Sequence, residues 1–129
     1  MDKSKTLEVL ENDFWIDPDF KSSLVVACHQ LRKIPLKDLS PENLRLLIGQ
    51  EIGLNYLVPI ALDILEKDLL ASGDMYDGDL LCSVARIKSD FWDSNEGLKA
   101  RALDLTSSIT SALETLKEAD DLFKGKLSW

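Results

Sequence analysis

The last third of the chain carries a row of apolar residues with a regular spacing, and this row limits the folds open to the chain. Intervals of four and three residues alternate through Leu98, Ala102, Leu105, Ile109, Ala112, Leu116, Ala119 and Phe123. A spacing that averages about 3.5 residues places them all on one face of an α-helix. The spacing predicts one helix over residues 95–124, about 45 Å long at about 1.5 Å per residue.

Two packing arrangements can bury this apolar row. The helix can lie antiparallel on other helices of its own chain, which is the arrangement that we favour and which gives a monomer. Alternatively, the row forms the seam of a homodimer, because a helix of this length can extend beyond a body of 129 residues. The alanines in the row allow a neighbouring helix to approach closely in either arrangement.

Two strong helix signals lie in the middle of the chain. At Ser40-Pro41 the serine side chain can accept a hydrogen bond from a free backbone N–H, and proline needs no N–H at the first helical position. Residues 54–69 are apolar on nearly all sides, which predicts the central and most buried helix. The positions expected to face inward are Leu44, Leu47 and Ile48 in the first helix and Leu57, Val58, Ala61, Leu62 and Leu65 in the second.

Shorter helices are predicted over residues 7–12, 21–33 and 77–87. Asp19 is expected to cap the second of these and Asp77 the third, because an aspartate side chain can accept hydrogen bonds from the first turn of a helix. The inner face of the second is expected to carry Leu24, Cys28 and Leu31, positive φ angles are expected at Gly49 and Gly53, and a connector is expected at Phe91 and Trp92.

These elements predict an all-α fold: a single domain over residues 1–129, built as a compact helical bundle of about six helices with a long C-terminal helix. Hydrophobic residues make up 45% of the chain, and a chain of this length can bury roughly two thirds of its unfolded surface. No apolar run approaches the ~20 residues of a membrane span, and the N-terminus lacks the apolar stretch of a signal peptide. We therefore expect a cytoplasmic protein whose two cysteines are free thiols.

Acidic residues outnumber basic residues by 23 to 15, which gives a formal net charge of −8. This charge disfavours direct binding to nucleic acid, since phosphate binding relies on Lys and Arg, and it disfavours an anionic membrane surface for the same reason. A basic protein is the favoured partner. The acidity is uneven, because residues 1–20 carry a net −4 and residues 63–96 a net −6, whereas residues 97–129 are neutral.

Residues that could catalyse a reaction or bind a metal form no recognisable motif. Asp74, Asp77 and Asp79 resemble a calcium loop only superficially, because Tyr76 and Gly78 occupy the third and fifth positions, where such a loop needs oxygen ligands. The chain has no glycine-rich phosphate loop, no Gly-x-Ser-x-Gly turn and no Cys-x-x-Cys pair. The chain is therefore predicted not to be an enzyme and to bind no cofactor and no metal.

Two acidic surfaces are the candidate binding sites for a partner. Both combine carboxylates with aromatic side chains, and aromatics are enriched in protein interfaces. The first consists of Asp74, Tyr76, Asp77, Asp79, Asp90, Trp92 and Asp93. The alternative consists of Glu11, Asp13, Trp15, Asp17 and Asp19. The sequence alone leaves both open.

From Leu39 to Trp92 the order and spacing of several motifs resemble a known family. The motifs are Leu39-Ser40-Pro41-Glu42-Asn43, Leu44-Arg45-Leu46-Leu47-Ile48-Gly49-Gln50, Gly53-Leu54, Tyr56-Leu57-Val58-Pro59, Ala61-Leu62, Gly78-Asp79-Leu80-Leu81 and Phe91-Trp92. In combination they resemble the immunity proteins of bacterial contact-dependent growth inhibition (CDI) systems. The chain departs from the family pattern at Asp77, where proline is expected before Gly-Asp.

The resemblance implies a cytoplasmic protein that binds the C-terminal toxin domain of its own CDI effector and blocks it. Many such toxins are nucleases, some of which act on tRNA, and some work with translation elongation factor Tu. Because a nuclease cleft must attract phosphate, it tends to be basic, and an acidic protein can be steered onto it and occlude it. The alternative function is a helical adaptor or oligomerising scaffold that uses the C-terminal helix.

Overall fold

A computed structural model describes residues 1–16 and 22–127, and within these ranges the chain forms α-helices and one 3-10 helix but no strand. The α-helices are α1 (Leu7–Glu11), α2 (Ser23–Leu31), α3 (Pro41–Gly49), α4 (Leu54–Lys67), α5 (Asp79–Ala85), α6 (Ser89–Asp93) and α7 (Glu96–Leu127). The 3-10 helix, Leu36–Asp38, lies between α2 and α3. The prediction of an all-α fold with a long C-terminal helix is confirmed.

Helix α3 begins where Ser40-Pro41 predicts. The Ser40 hydroxyl accepts a hydrogen bond from the Asn43 backbone N–H at 3.1 Å, and the Asn43 side chain accepts one from the Ser40 N–H at 3.0 Å. This reciprocal capping box satisfies two backbone donors that have no partner inside the helix. The start of α3 is thus fixed by residues that are neighbours in sequence.

Helix α4 is the centre of the hydrophobic core. All inward positions predicted for α3 and α4 are buried, and Leu57, Val58 and Leu62 have no exposed surface. The helix packs against α3, α5 and α7. Its wide apolar face is covered by these three helices, while Asn55, Asp63 and Glu66 form an exposed polar face.

Two shorter elements differ from the sequence-based predictions. Helix α2 is capped by Ser22, whose hydroxyl accepts a hydrogen bond from Val25 N–H at 3.1 Å, and the predicted cap Asp19 lies outside the described residues. Cys28 and Leu31 are buried as predicted, but Leu24 is exposed because it lies in the first turn, beyond the edge of the core. The predicted connector around Phe91 is instead the short helix α6.

The end of α3 places a glutamate, rather than Gly49, in the left-handed region. Glu51 has φ +56° and Gly53 has φ +64°, whereas Gly49 is the last helical residue. The Ile52 N–H donates to the Leu47 carbonyl at 2.9 Å and the Glu51 N–H donates to the Ile48 carbonyl at 2.9 Å. This is a Schellman motif, in which the residue after the cap adopts positive φ, so the prediction is confirmed for Gly53 and wrong for Gly49.

Helix α7 lies on the body of the protein only along its first half. In the predicted row, Leu98, Ala102, Leu105, Ile109 and Ala119 are buried or half-buried, and Ala112, Leu116 and Phe123 are exposed. Arg101 anchors the first half through contacts with Asp63 at 2.7 Å and Glu66 at 2.8 Å on α4. Because α7 has 32 residues and α4 only 14, residues 110–127 extend past the body, and we call them the overhang. The predicted packing of the row on the chain's own bundle is therefore wrong for its second half.

Candidate functional site

The segment between α4 and α5, residues 70–78, is tied down by one buried carboxylate, and we call it the stapled loop. Asp79, the first residue of α5, is only 3% exposed. Its side chain accepts hydrogen bonds from the backbone N–H groups of Gly73 at 2.6 Å, Met75 at 3.0 Å and Tyr76 at 3.4 Å. One side chain thus fixes the path of the loop.

Helix α3 holds the other side of the stapled loop. The Glu42 carboxylate accepts a hydrogen bond from the Asp74 N–H at 2.7 Å. Arg45 donates from Nε to both oxygens of Glu42 at 2.9 Å, and the same nitrogen lies 3.7 Å from Asp79 Oδ2. The guanidinium therefore joins the two carboxylates that hold the loop.

The side chains of Glu42, Arg45 and Asp79 are stabilised in their ionised forms. Hydrogen bonds from Arg45 lower the pKa of Glu42 more than burial raises it. Burial alone would raise the pKa of Asp79, but the backbone hydrogen bonds from Gly73, Met75 and Tyr76, together with Arg45, lower it below its ordinary value. Hydrogen bonding to Glu42 raises the pKa of Arg45. All three groups are charged at neutral pH, so the loop is held by charge-assisted hydrogen bonds.

Two glycines allow the stapled loop to follow this path. A Cβ atom at Gly73 would lie 2.6 Å from Glu42 Oε2 and 3.0 Å from its Cα, so no larger residue fits there without displacing the α3 backbone. Gly78 has φ +90°, a conformation that favours glycine, and its N–H donates to the Leu70 carbonyl at 3.2 Å. The conformation of the loop is therefore set at both ends.

The stapled loop presents apolar and acidic side chains together at the surface. Met75 is 67% exposed and Tyr76 50% exposed, and the side chains of Asp74 and Asp77 on either side of them are also exposed. Neither of these two carboxylates makes a hydrogen bond or an ion pair with a residue that the structure describes. Met75 was not among the predicted contact residues, because a lone methionine in an acidic loop carries no periodic signal.

The remaining members of the first predicted surface are only partly brought together. Asp79 is buried, and its carboxylate accepts hydrogen bonds from the loop backbone. It is therefore a positioning residue and does not belong to the candidate contact surface. Asp90 and Asp93 are exposed on α6, while Trp92 is half-buried and packs edge-on against Phe91 at a ring distance of 5.2 Å. The loop precedes α5 and α6 follows it, so the whole of α5, seven residues, lies between the two acidic groups along the chain.

The alternative acidic surface near the N-terminus surrounds a buried arginine. Arg32 is 1% exposed, and its Nη2 donates to Glu11 Oε1 at 2.9 Å and to the Asp13 carbonyl at 2.8 Å. Its guanidinium lies over the ring of Trp15 at 4.1 Å, and Trp15 Nε1 donates to Asp13 Oδ2 at 3.2 Å. Asp17 and Asp19 lie outside the described residues. The Glu11 and Asp13 carboxylates therefore already have partners inside the chain.

Two kinds of feature were not found within residues 1–16 and 22–127. No group of three or more His, Cys, Asp or Glu side chains is arranged to hold a metal ion. No helix in these ranges is both long enough and apolar enough to cross a lipid bilayer. Cys28 and Cys82 are both free thiols, the first buried and the second half-buried.

Comparison with known proteins identifies one family. A family model described as CDI immunity proteins matches residues 9–102, about three quarters of the chain. The matched range contains the stapled loop, the residues of α3 that hold it and the first turns of α7, and it ends before the overhang. No curated protein and no solved structure matches the chain.

Proposed function

Because the chain belongs to the family of CDI immunity proteins, we propose that it neutralises the toxin domain of its own system by placing the stapled loop on the toxin's active site. Membership of the family confirms the resemblance read from residues 39–92. It also confirms that the chain is not an enzyme, since CDI immunity proteins inhibit toxins without catalysing a reaction. The identity of the contact surface and the mode of inhibition are the proposed part.

The observation that carries this proposal is that the stapled loop is exposed while its backbone is held by buried and partly buried carboxylates. Asp79 and Glu42 together accept backbone hydrogen bonds from four consecutive loop residues, 73–76. A loop that is already ordered does not lose conformational freedom when a partner binds, which leaves more of the contact energy as affinity. The exposed Met75 and Tyr76 are of the residue types that are enriched in protein interfaces.

The charge of the loop fits a basic partner. Asp74 and Asp77 flank the apolar side chains, within a segment, residues 63–96, that carries a net −6. A nuclease must attract phosphate with Lys and Arg, and those residues make its cleft basic. We propose a nuclease toxin, with tRNA among its substrates. Placing an acidic loop over its cleft would both attract the toxin and exclude the nucleic acid.

The stapled loop is a better candidate than the N-terminal surface for an electrostatic reason. The Glu11 carboxylate already contacts Arg32, and the Asp13 carboxylate already accepts a hydrogen bond from Trp15. A basic partner would have to compete with these contacts, whereas Asp74 and Asp77 have no such contact with the described residues. The two loop carboxylates are therefore more available to a basic partner.

The proposal predicts that reversing the two loop charges slows toxin binding. In an Asp74→Lys/Asp77→Lys variant we expect the association rate constant with the toxin domain encoded next to this chain to fall about tenfold at low salt. The association rate constant of the variant should depend less on ionic strength, because part of the electrostatic attraction to the toxin has been removed. Stopped-flow fluorescence at several salt concentrations measures both effects.

A matched control separates the loop from the overall charge. The Glu114→Lys/Glu118→Lys variant changes the net charge equally but on the exposed face of the overhang. We expect its association rate to stay within about twofold of wild type, because these two charges lie on the overhang rather than on the proposed docking surface. Equal slowing by both variants would show that the loop is not the docking site, and a chain that fails to bind the toxin domain at all would refute the immunity function itself.

The cellular setting follows from the same proposal. A toxin delivered into the cytoplasm must be met there, so we place the immunity protein in the cytoplasm. If the toxin works together with translation elongation factor Tu, that factor joins the complex through the toxin rather than through this chain. Adding the elongation factor to the stopped-flow mixture tests this, since its binding should leave the effect of the Asp74→Lys/Asp77→Lys change intact.

A further inference from the structure

The overhang exposes an apolar face that nothing in the described part of the chain covers. Leu113, Leu116, Phe123 and Leu127 are each 61–65% exposed, and they lie on the continuation of the face that packs on α4 in the first half of α7. Exposed apolar side chains aligned along one face mark an interaction surface rather than a random distribution. The face spans residues 110–127, about 27 Å of helix.

We propose that this face pairs antiparallel with the overhang of a second copy of the chain, so that the protein is a homodimer. Charge favours this occupant. The overhang contains four acidic and three basic residues, a net −1, in a chain of net −8. Two copies therefore repel each other only weakly at the overhang, and the overhang offers little attraction to a basic partner.

In an antiparallel pair of overhangs, large side chains of one copy face small side chains of the other. When two such helices run antiparallel, Leu116 faces Ala119 of the second copy, and Phe123 faces Ala112. Each layer then combines one large and one small side chain, which is how facing positions fill space without voids. In the parallel direction Phe123 would face Phe123 and Ala119 would face Ala119, which gives alternating crowded and empty layers.

Parallel pairing of the two overhangs is also excluded sterically, by the helical bundle that each copy carries at the start of α7. The face that contacts the second copy in the overhang is the face that contacts α4 in the first half of α7. In a parallel pair the body of each copy would occupy the space needed by the other helix. In an antiparallel pair the tip of each overhang instead ends where the body of the other copy begins.

The groove at that point suits the tip that would reach it. An open groove of about 580 Å³ lies between the end of α4 and α7, and its lining includes Asp68, Leu69 and Asp104. The end of the overhang carries Lys126 and Leu127. The whole lining carries three carboxylates and two cations, Lys67 and Arg101. A tip with one lysine and one leucine would therefore meet a weakly acidic, partly apolar groove.

The apolar area of the pairing fits a weak dimer. Burying each exposed large apolar side chain removes on the order of 100 Å² from water. Four of them lie on this face of each overhang: Leu113, Leu116, Phe123 and Leu127. The pair therefore removes roughly 800 Å² of apolar surface, which is the size of a weak, concentration-dependent interface. The proposed dimer departs from the monomer that the sequence favoured.

Sedimentation equilibrium of the full chain tests the dimer. We expect a concentration-dependent dimer for the wild-type chain and a dissociation constant at least about tenfold higher for Leu116→Asp, which places two charges in a dry layer. The matched control is Leu103→Asp, since Leu103 is 60% exposed on α7 but lies off the paired face. A wild-type chain that is monomeric at all concentrations, or equal dissociation by both variants, would overturn the proposal.

Disulfide crosslinking tests the direction of pairing. In a background with Cys28 and Cys82 replaced by alanine, a chain with Ala112→Cys is mixed with a chain with Phe123→Cys and oxidised. Antiparallel pairing predicts the mixed 112–123 dimer as the main product. Predominant 112–112 and 123–123 products would indicate parallel pairing and overturn the proposed geometry.

Toxin binding by the same variants separates this inference from the proposed function. The monomeric Leu116→Asp variant should bind the toxin domain with wild-type affinity, because the stapled loop is untouched. If Leu116→Asp loses toxin binding while Leu103→Asp keeps it, the overhang is a toxin contact and the homodimer proposal is wrong. Failure of the wild-type chain to bind the toxin would leave the sedimentation result standing.

Discussion

The Asp79→Ala variant is expected to unfold about 3 kcal/mol more easily than the wild-type chain, because hydrogen bonds to a buried charged group are among the strongest local contributions to stability. The substitution removes the acceptor of three backbone N–H groups and one of the two carboxylates beside Arg45. The stapled loop should then become mobile, and toxin affinity should fall because binding must order the loop again. Urea denaturation and amide hydrogen exchange of residues 73–76 measure the two effects.

Asp77→Ala is the matched control for stability. Asp77 is two residues away and exposed, and its carboxylate makes no hydrogen bond or ion pair with the described residues. Its removal should therefore change the free energy of unfolding by no more than about 0.5 kcal/mol. If Asp79→Ala were equally neutral and its loop amides stayed protected, Asp79 would not be the residue that holds the loop.

The second large effect is expected at Gly53. This residue has φ +64° at the start of α4, and a Cβ atom there would lie 2.7 and 2.8 Å from the two methyl carbons of Leu7. Leu7 is fully buried and cannot move aside freely. Gly53→Ala should therefore lower the free energy of unfolding by about 3 kcal/mol, from the left-handed backbone and the overpacking together. Urea denaturation measures the change.

Gly97→Ala is the matched control for that substitution. Gly97 lies in the first turn of α7, and a Cβ atom there would meet nothing within 4 Å. Alanine is the better helix former by about 1 kcal/mol, so this variant should be slightly more stable than wild type. A loss of stability at Gly97 similar to that at Gly53 would mean that the steric explanation of Gly53 is incorrect.

The parts of the fold that sequence reasoning predicts well are those decided by nearby residues. The start of α3 depends on Ser40, Pro41 and Asn43, which are all within four positions. The inward positions of α4 follow from the apolar residues of its own sequence, and all of them are buried as predicted. Capping residues and apolar periodicity predict a helix and its buried face correctly wherever tertiary contacts do not favour a different structure.

The candidate site could be predicted only in part, because its key contacts join distant residues. Asp77 was expected to cap α5, but the cap residue is Gly78 and no side chain caps the helix, so this prediction is wrong. The hydrogen bond from Asp74 to Glu42 spans 32 positions, and no local pattern reports such a pair. The signal that the sequence does offer is composition, since Asp74 and Asp77 lie beside Tyr76 in a short segment between two predicted helices.

The spacing of α7 predicts a face but cannot predict what covers it. The same alternation of four and three residues continues from the half that lies on α4 into the overhang. Where coverage ends depends on the length of α4, which is 14 residues. The periodic row therefore predicts burial equally for Leu105 and Leu116. Of these two residues, Leu105 is buried and Leu116 is exposed.

The most direct test of loop docking is site-specific photo-crosslinking to the toxin domain. A benzophenone amino acid is placed at Tyr76 in the stapled loop or, as the control, at Phe14, which is 61% exposed beside the alternative acidic surface. We expect irradiation to link position 76, and not position 14, to toxin peptides that line the active site. Crosslinking from position 14 alone, or from position 76 to a toxin surface remote from the active site, would contradict occlusion by the loop.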